Sequence, residues 1–149
     1  MSNKLSVNTV NRQLKAALSR LLRKDLCLLK QGLHERTIVH KFATYLQIKF
    51  PDWDVDVEYN RNINDIKEIV IDLEEKRIIP DIIIHHRQTH ENLLAIEVKA
   101  LQRPNRKSIA KDKIKLQRYK DQLGYDYACF ILFIVKDSTN PEPYTIEWI

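Results

Sequence analysis

The residues best placed to do chemistry are Asp81, Glu97 and Lys99. Asp81 follows Pro80 at the head of one apolar run, and Glu97 and Lys99 close a second one. Strand alternation puts Asp81, Ile83 and His85 on one face with Ile82 and Ile84 on the other; Ala95, Glu97 and Lys99 likewise share a face against Ile96 and Val98. The polar stretch 87–92 makes an antiparallel hairpin the economical link. In a register that sets Asp81 opposite Glu97, their Cβ atoms lie about 5 Å apart. Two carboxylates so close repel unless something positive sits between them. A hard divalent cation, Mg²⁺ or Mn²⁺, would meet that need, with the Val98 carbonyl as a further ligand. Lys99 would then orient an attacking water or stabilise charge on a phosphate. The alternative is a pair of charges at the sheet margin with Lys99 as their salt-bridge partner.

Three further residues depart from the pattern around them. Glu35 lies in line with Ile38, Val39, Phe42 and Leu46, on the face of a helix that should point inward. It is either a third acidic ligand or a first-turn residue favoured by the helix dipole. Asp112 is the one charge in the seam Ile109, Asp112, Leu116, Tyr119 and Leu123; it either orients Lys99 or pairs with a lysine of its own helix. His85 shares the face of Asp81 and either reaches a substrate or a second metal or is a satisfied sheet histidine.

The elements that must hold these residues are legible from periodicity. Helical spacing of Leu14, Leu18, Leu21, Leu22 and Leu26 predicts a helix over 10–29, ahead of Gly32, and a second runs over 35–50 up to Pro51. The period then changes to two over 53–59, where Trp53, Val55, Val57 and Tyr59 alternate with acids, and 60–64 reads as a polar turn. Strands follow up to His85, beginning at Val70 or Arg77, and over 93–100. A helix over 106–123 has Asn105 or Ser108 as its cap and Gly124 as its end. The continuous apolar run 127–135 predicts a strand covered on both faces, and 144–148 a strand nearer an edge. The order implies an α/β domain, a mixed central sheet flanked by helices.

Charge is unevenly distributed. Lys and Arg number 25 against 20 Asp and Glu, a net +5, but half of all the acid lies between Asp52 and Asp81. From Lys99 to Lys120, nine basic residues face the single Asp112, and the first thirty residues are basic as well. An acidic centre flanked by basic helices suits a protein that meets a phosphate backbone. Solvated helix faces are the plainer explanation.

Pro80-Asp81 followed, after a gap of fifteen residues, by Glu97-Val98-Lys99 resembles the PD-(D/E)XK nuclease superfamily, the restriction-endonuclease-like fold. The likeness extends over about 35–135 through the order of helices and strands. It implies a three-layer fold and Mg²⁺-dependent hydrolysis of nucleic-acid phosphodiesters, with DNA the favoured substrate and endonuclease action. By this resemblance Asp81 and Glu97 would hold the metal, Lys99 would assist the nucleophile and Glu35 would be the helix-borne acid. Arg103, Arg106, Lys107, Lys111, Lys115 and Arg118 would contact the nucleic acid, with Asp112 and His85 in support. Cutting both strands would favour a homodimer. RNA is not excluded as a substrate, and the same fold without catalysis would serve as a nucleic-acid-binding or assembly protein.

The remaining readings are exclusions. A length of 149 residues suits one domain, nuclease-like over 1–149, with 1–31 as a helical extension of its core. No apolar run is long enough for a membrane span, no signal-peptide core is visible and Cys27 and Cys129 form no paired motif, so the expectation is a cytoplasmic protein without a membrane partner. No phosphate-binding loop or dinucleotide fingerprint supports a nucleotide cofactor.

Overall fold

The computed structural model describes residues 4–59, 68–71, 74–137 and 139–149. The polar turn expected at 60–64 lies outside them. Helix α1 (Val7–Lys30) starts at Ser6, whose hydroxyl accepts from the Thr9 N–H, and α2 (Glu35–Lys49) follows. Strand β1 (Asp54–Val57) is shorter than the alternation suggests, because Glu58 takes a left-handed backbone, φ 51°, that no strand continues through. The run expected as one strand from Val70 or Arg77 to His85 is instead divided. β2 (Glu68–Ile71) and β3 (Glu74–Arg77) pair as a separate antiparallel ribbon, and β4 (Ile82–His85) begins only after Pro80. Proline lacks the N–H a ladder needs and restricts the residue before it, so the strand restarts beyond it.

β5 (Asn92–Leu101), α3 (Arg106–Leu123), β6 (Tyr125–Ile134) and β7 (Tyr144–Trp148) complete the chain. Asn105 is the N-cap of α3, its side chain accepting from the Ser108 N–H. Gly124 ends the helix at φ 67°, its N–H donating to the Tyr119 carbonyl.

The main sheet runs β1-β4-β5-β6-β7, with β5 and β6 parallel and the other pairs antiparallel, so it is mixed. Ile82 pairs with Ile96, Ile83 with Ala95 and Ile84 with Leu94, a register that carried one step further sets Asp81 beside Glu97. Alternation then sorts the core into two layers. Ile82, Ile84, Ile96, Val98, Cys129, Ile131 and Phe133 face α1 and α2. Ile83, Ala95, Ala128, Phe130 and Leu132 face α3 through Leu116 and Tyr119. The architecture is a three-layer α/β fold: two helices, a mixed sheet and a third helix. α1 belongs fully to this core, with Val10, Leu14, Ala17, Leu18 and Leu21 sealed from solvent. Phe42 of α2 meets Phe133 of β6 edge to face, ring centres 6.2 Å apart. Among the described residues no helix is long and apolar enough to cross a membrane.

Candidate functional site

The site forms where β5 outruns β4. β4 stops at Ile82, whereas β5 continues to Leu101, so the N–H groups of Val98 and Ala100 project toward a strand that is no longer there. A buried N–H left without an acceptor is costly. Asp81 Oδ2 accepts from Val98 N at 2.7 Å, and Glu35 Oε2, from the first turn of α2, accepts from Ala100 N at 2.9 Å. Two carboxylates thus continue the ladder in place of a strand.

On the α3 face, Glu97 is 4% exposed and its Oε1 accepts from the Tyr119 hydroxyl at 2.7 Å. Burial, reinforced by the neighbouring charge of Asp81, raises the Glu97 pKa well above the usual carboxylate value, against the opposing pull of Lys115 and Tyr119. Burial also raises Asp81, partly offset by the Val98 N–H. Asp112 stands 3.3 Å from Lys99 Nζ through Oδ2 and accepts from Lys115 Nζ at 2.9 Å through Oδ1. Burial opposes charge on Lys99, yet Asp112 beside it, with Glu35 and Asp81, outweighs that cost and lifts its pKa above the ordinary lysine value. Asp112 thus stands beside Lys99 and also pairs with Lys115 of its own helix.

The fold therefore brings Glu35, Asp81, Glu97, Lys99 and Asp112 to one end of the sheet. It does not arrange them as a metal centre. Among the described residues no group of three or more His, Cys, Asp or Glu side chains is placed to hold a metal ion. Glu35 and Asp81 each turn an oxygen onto a main-chain donor of β5, and Glu97 is buried against the Tyr119 hydroxyl. Val98 is fully buried and meets Asp81 through its N–H. This overturns the expectation of bound Mg²⁺ or Mn²⁺ on Asp81, Glu97 and Val98. With it falls metal-dependent hydrolysis of DNA by Glu35, Asp81, Glu97 and Lys99, whether as endonuclease or otherwise.

His85 does not join this group. It lies 3% exposed at the far end of β4, its Nε2 2.8 Å from Asp56 Oδ2, in a cluster completed by Arg87 and the edge of the Tyr59 ring. Burial would raise Asp56, but the hydrogen bonds from Arg87 and His85 hold its pKa below the usual value.

The basic residues divide. Arg103, Arg106, Lys107 and Lys111 are exposed, along the loop after β5 and the first turns of α3, and have no ion-pair partner among the described residues. Arg118 is half-buried and also unpaired, whereas Lys115 is turned inward to Asp112. The other basic helix, α1, packs on the opposite face of the sheet, so the two basic stretches do not form one surface. Tyr119, which the sequence marks only as a seam residue, proves to hold Glu97. A tyrosine in a seam that is aliphatic apart from Asp112 is the signal that would have found it, since its hydroxyl needs a buried partner. Comparison with protein-family models, with curated proteins and with solved structures yields no match to this chain.

Proposed function

We propose that this chain is a nucleic-acid-binding or assembly module built on a restriction-endonuclease-like scaffold, working without catalysis, with DNA as its partner. The observation that carries the reading is the exposed row Arg103, Arg106, Lys107 and Lys111, without ion-pair partners among the described residues, beside carboxylates that each give an oxygen to an internal donor, Asp81 and Glu35 to main-chain N–H groups and Glu97 to Tyr119. The strand order, the α2 acid and the Pro80-Asp81 and Glu97-Val98-Lys99 placements support the scaffold assignment. A row of free cations at one rim gains affinity by releasing counterions from phosphates, with no reaction required.

The test is fluorescence anisotropy of labelled duplex DNA, single-stranded DNA and RNA across a salt series, with and without EDTA. Four phosphate contacts give a slope of log K against log salt of about −3 to −4 on a duplex. Arg103→Ala and Lys107→Ala should each reduce its magnitude by about 1. EDTA should leave binding unchanged. Absence of salt-dependent binding to all three nucleic acids at low ionic strength would refute the proposal.

A further inference from the structure

The other basic stretch of the chain lies on α1 and α2, across the sheet from α3. These two helices carry nine Lys and Arg against two acids, and both acids are already bonded: Asp25 accepts from the Tyr45 hydroxyl and Glu35 from the Ala100 N–H. Helical spacing sets Arg12, Lys15 and Arg23 along one exposed strip of α1, opposite the sealed Leu14, Leu18 and Leu21. Arg20 and Lys24 widen the strip toward α2, where the Arg20 guanidinium lies 5.6 Å from the centre of the Tyr45 ring, and Lys41, one turn before Tyr45, continues it. None of these six cations has an ion-pair partner among the described residues. Arg20 stands three residues from Arg23 and four from Lys24, spacings at which like charges on a helix repel. No carboxylate of the two helices relieves that repulsion, so a polyanion outside the chain would.

A nucleic-acid backbone fits this face better than a lipid surface does. A helix that lies in a membrane interface needs an apolar side to insert. That of α1 is sealed in the core, and between Val7 and Leu33 no large apolar side chain is exposed. From Arg12 to Arg23 the strip is about 16 Å long, or about five base-pair steps of a duplex. α1 and α3 pack on opposite faces of the sheet, so their exposed sides point away from each other across three layers of about 10 Å each. Duplex DNA, stiff over about 150 base pairs, does not wrap so small a body without a large bending cost. We propose that the α1 face is a second duplex-binding surface, and that one molecule bridges two DNA segments, one on α1 and one on the rim of Arg103, Arg106, Lys107 and Lys111. The second surface stands on its own cations; the bridging rests on the reading of the rim given above.

Two measurements on the full chain test this. Analytical ultracentrifugation at low salt, with a short duplex in excess, counts duplexes per chain and reports the oligomeric state of the protein itself. Capture of a labelled duplex onto a second, bead-bound duplex reads bridging directly. Arg12→Glu combined with Arg23→Glu alters the α1 face, and Arg103→Glu combined with Lys107→Glu alters the rim; all four positions are exposed, and circular dichroism checks that each variant is folded. The expected result is two duplexes per chain for the parent, one for either variant, and capture reduced at least about tenfold in both. One duplex per chain, kept by the α1 variant and lost by the rim variant, overturns this inference and leaves the reading of the rim standing. No binding, or one duplex lost only by the α1 variant, overturns both. Capture that persists in the α1 variant would place bridging in paired copies of the chain, each holding a duplex by its rim, and overturns the second surface. Vesicles containing phosphatidylglycerol separate the remaining source of phosphate: vesicle binding lost in the α1 variant, with no second duplex bound by the parent, would assign the face to a membrane surface instead.

Discussion

Replacing Glu97 by Gln should make the protein progressively more stable than its parent as pH rises. The Glu97 carboxyl is 4% exposed, accepts from Tyr119 and lies beside Asp81, and its pKa in the folded protein is raised well above the ordinary value of 4.5. The sign follows from proton counting. Above pH 4.5 the unfolded chain has lost this proton while the folded protein still holds it, so folding takes up a proton, and stability contributed below 4.5 is lost as pH rises toward the folded value. One such group costs up to about 1.4 kcal/mol per pH unit within that window. Gln cannot titrate, and its carbonyl still accepts from Tyr119. The entropy of unfolding of a chain this long is about 0.3 kcal/mol/K, so the gap in Tm between variant and parent should widen by up to about 4 °C per pH unit. Asp81 titrates in both proteins, and burial, the largest cause of its shift, is common to the two. Thermal unfolding followed by circular dichroism between pH 4 and 8, at about 0.1 M ionic strength, measures the gap directly. A gap that stays constant, or that narrows with rising pH, would show that Glu97 is ionised in the folded protein and would refute the account of Glu97 as a buried, neutral partner of Tyr119.

Three other perturbations probe separate parts of the argument. Asp112→Asn removes the shared counter-charge of Lys99 and Lys115, which are partly solvated, so urea denaturation should show a loss of about 1–3 kcal/mol with an unchanged slope. Gly124→Ala should cost about 1–2 kcal/mol from the left-handed backbone alone, since an added Cβ would meet nothing within 4 Å; an unchanged midpoint would contradict the assigned cap. Gln122 pairs its side-chain amide with both the N–H and the carbonyl of Val70, standing in for a strand beside β2. Gln122→Ala should therefore raise the hydrogen-exchange rate of the Val70 amide while leaving that of Ile96 unaltered.

Much of the fold is written in local periodicity. Five leucines at helical spacing place α1, and Asn105 and Gly124 bound α3 through cap chemistry that depends on neighbouring residues alone. The unbroken apolar stretch in β6 is buried on both faces, as such a run requires. The pairing of β4 with β5 follows from matching two alternating strands, because a slip of one residue would turn Ile82 and Ile84 away from the α1 and α2 layer. The contact of Asp112 with Lys99 was within reach for the same reason: a single charge in an apolar seam must find an opposite one.

Strand lengths, and what the chemical groups do once assembled, were decided by tertiary structure. Glu35, Asp81, Glu97 and Lys99 have the types and spacing of a metal-dependent site, and the fold does collect them. Whether a carboxylate faces a cation or a main-chain N–H depends on how far β5 extends past β4, a difference between two strands that neither strand's sequence records. The basic stretches look alike along the chain, yet α1 and α3 lie on opposite faces of the sheet. Periodicity tells each residue which side of its own element to occupy; which elements become neighbours, and which polar groups they leave to be satisfied, is settled only when the layers pack.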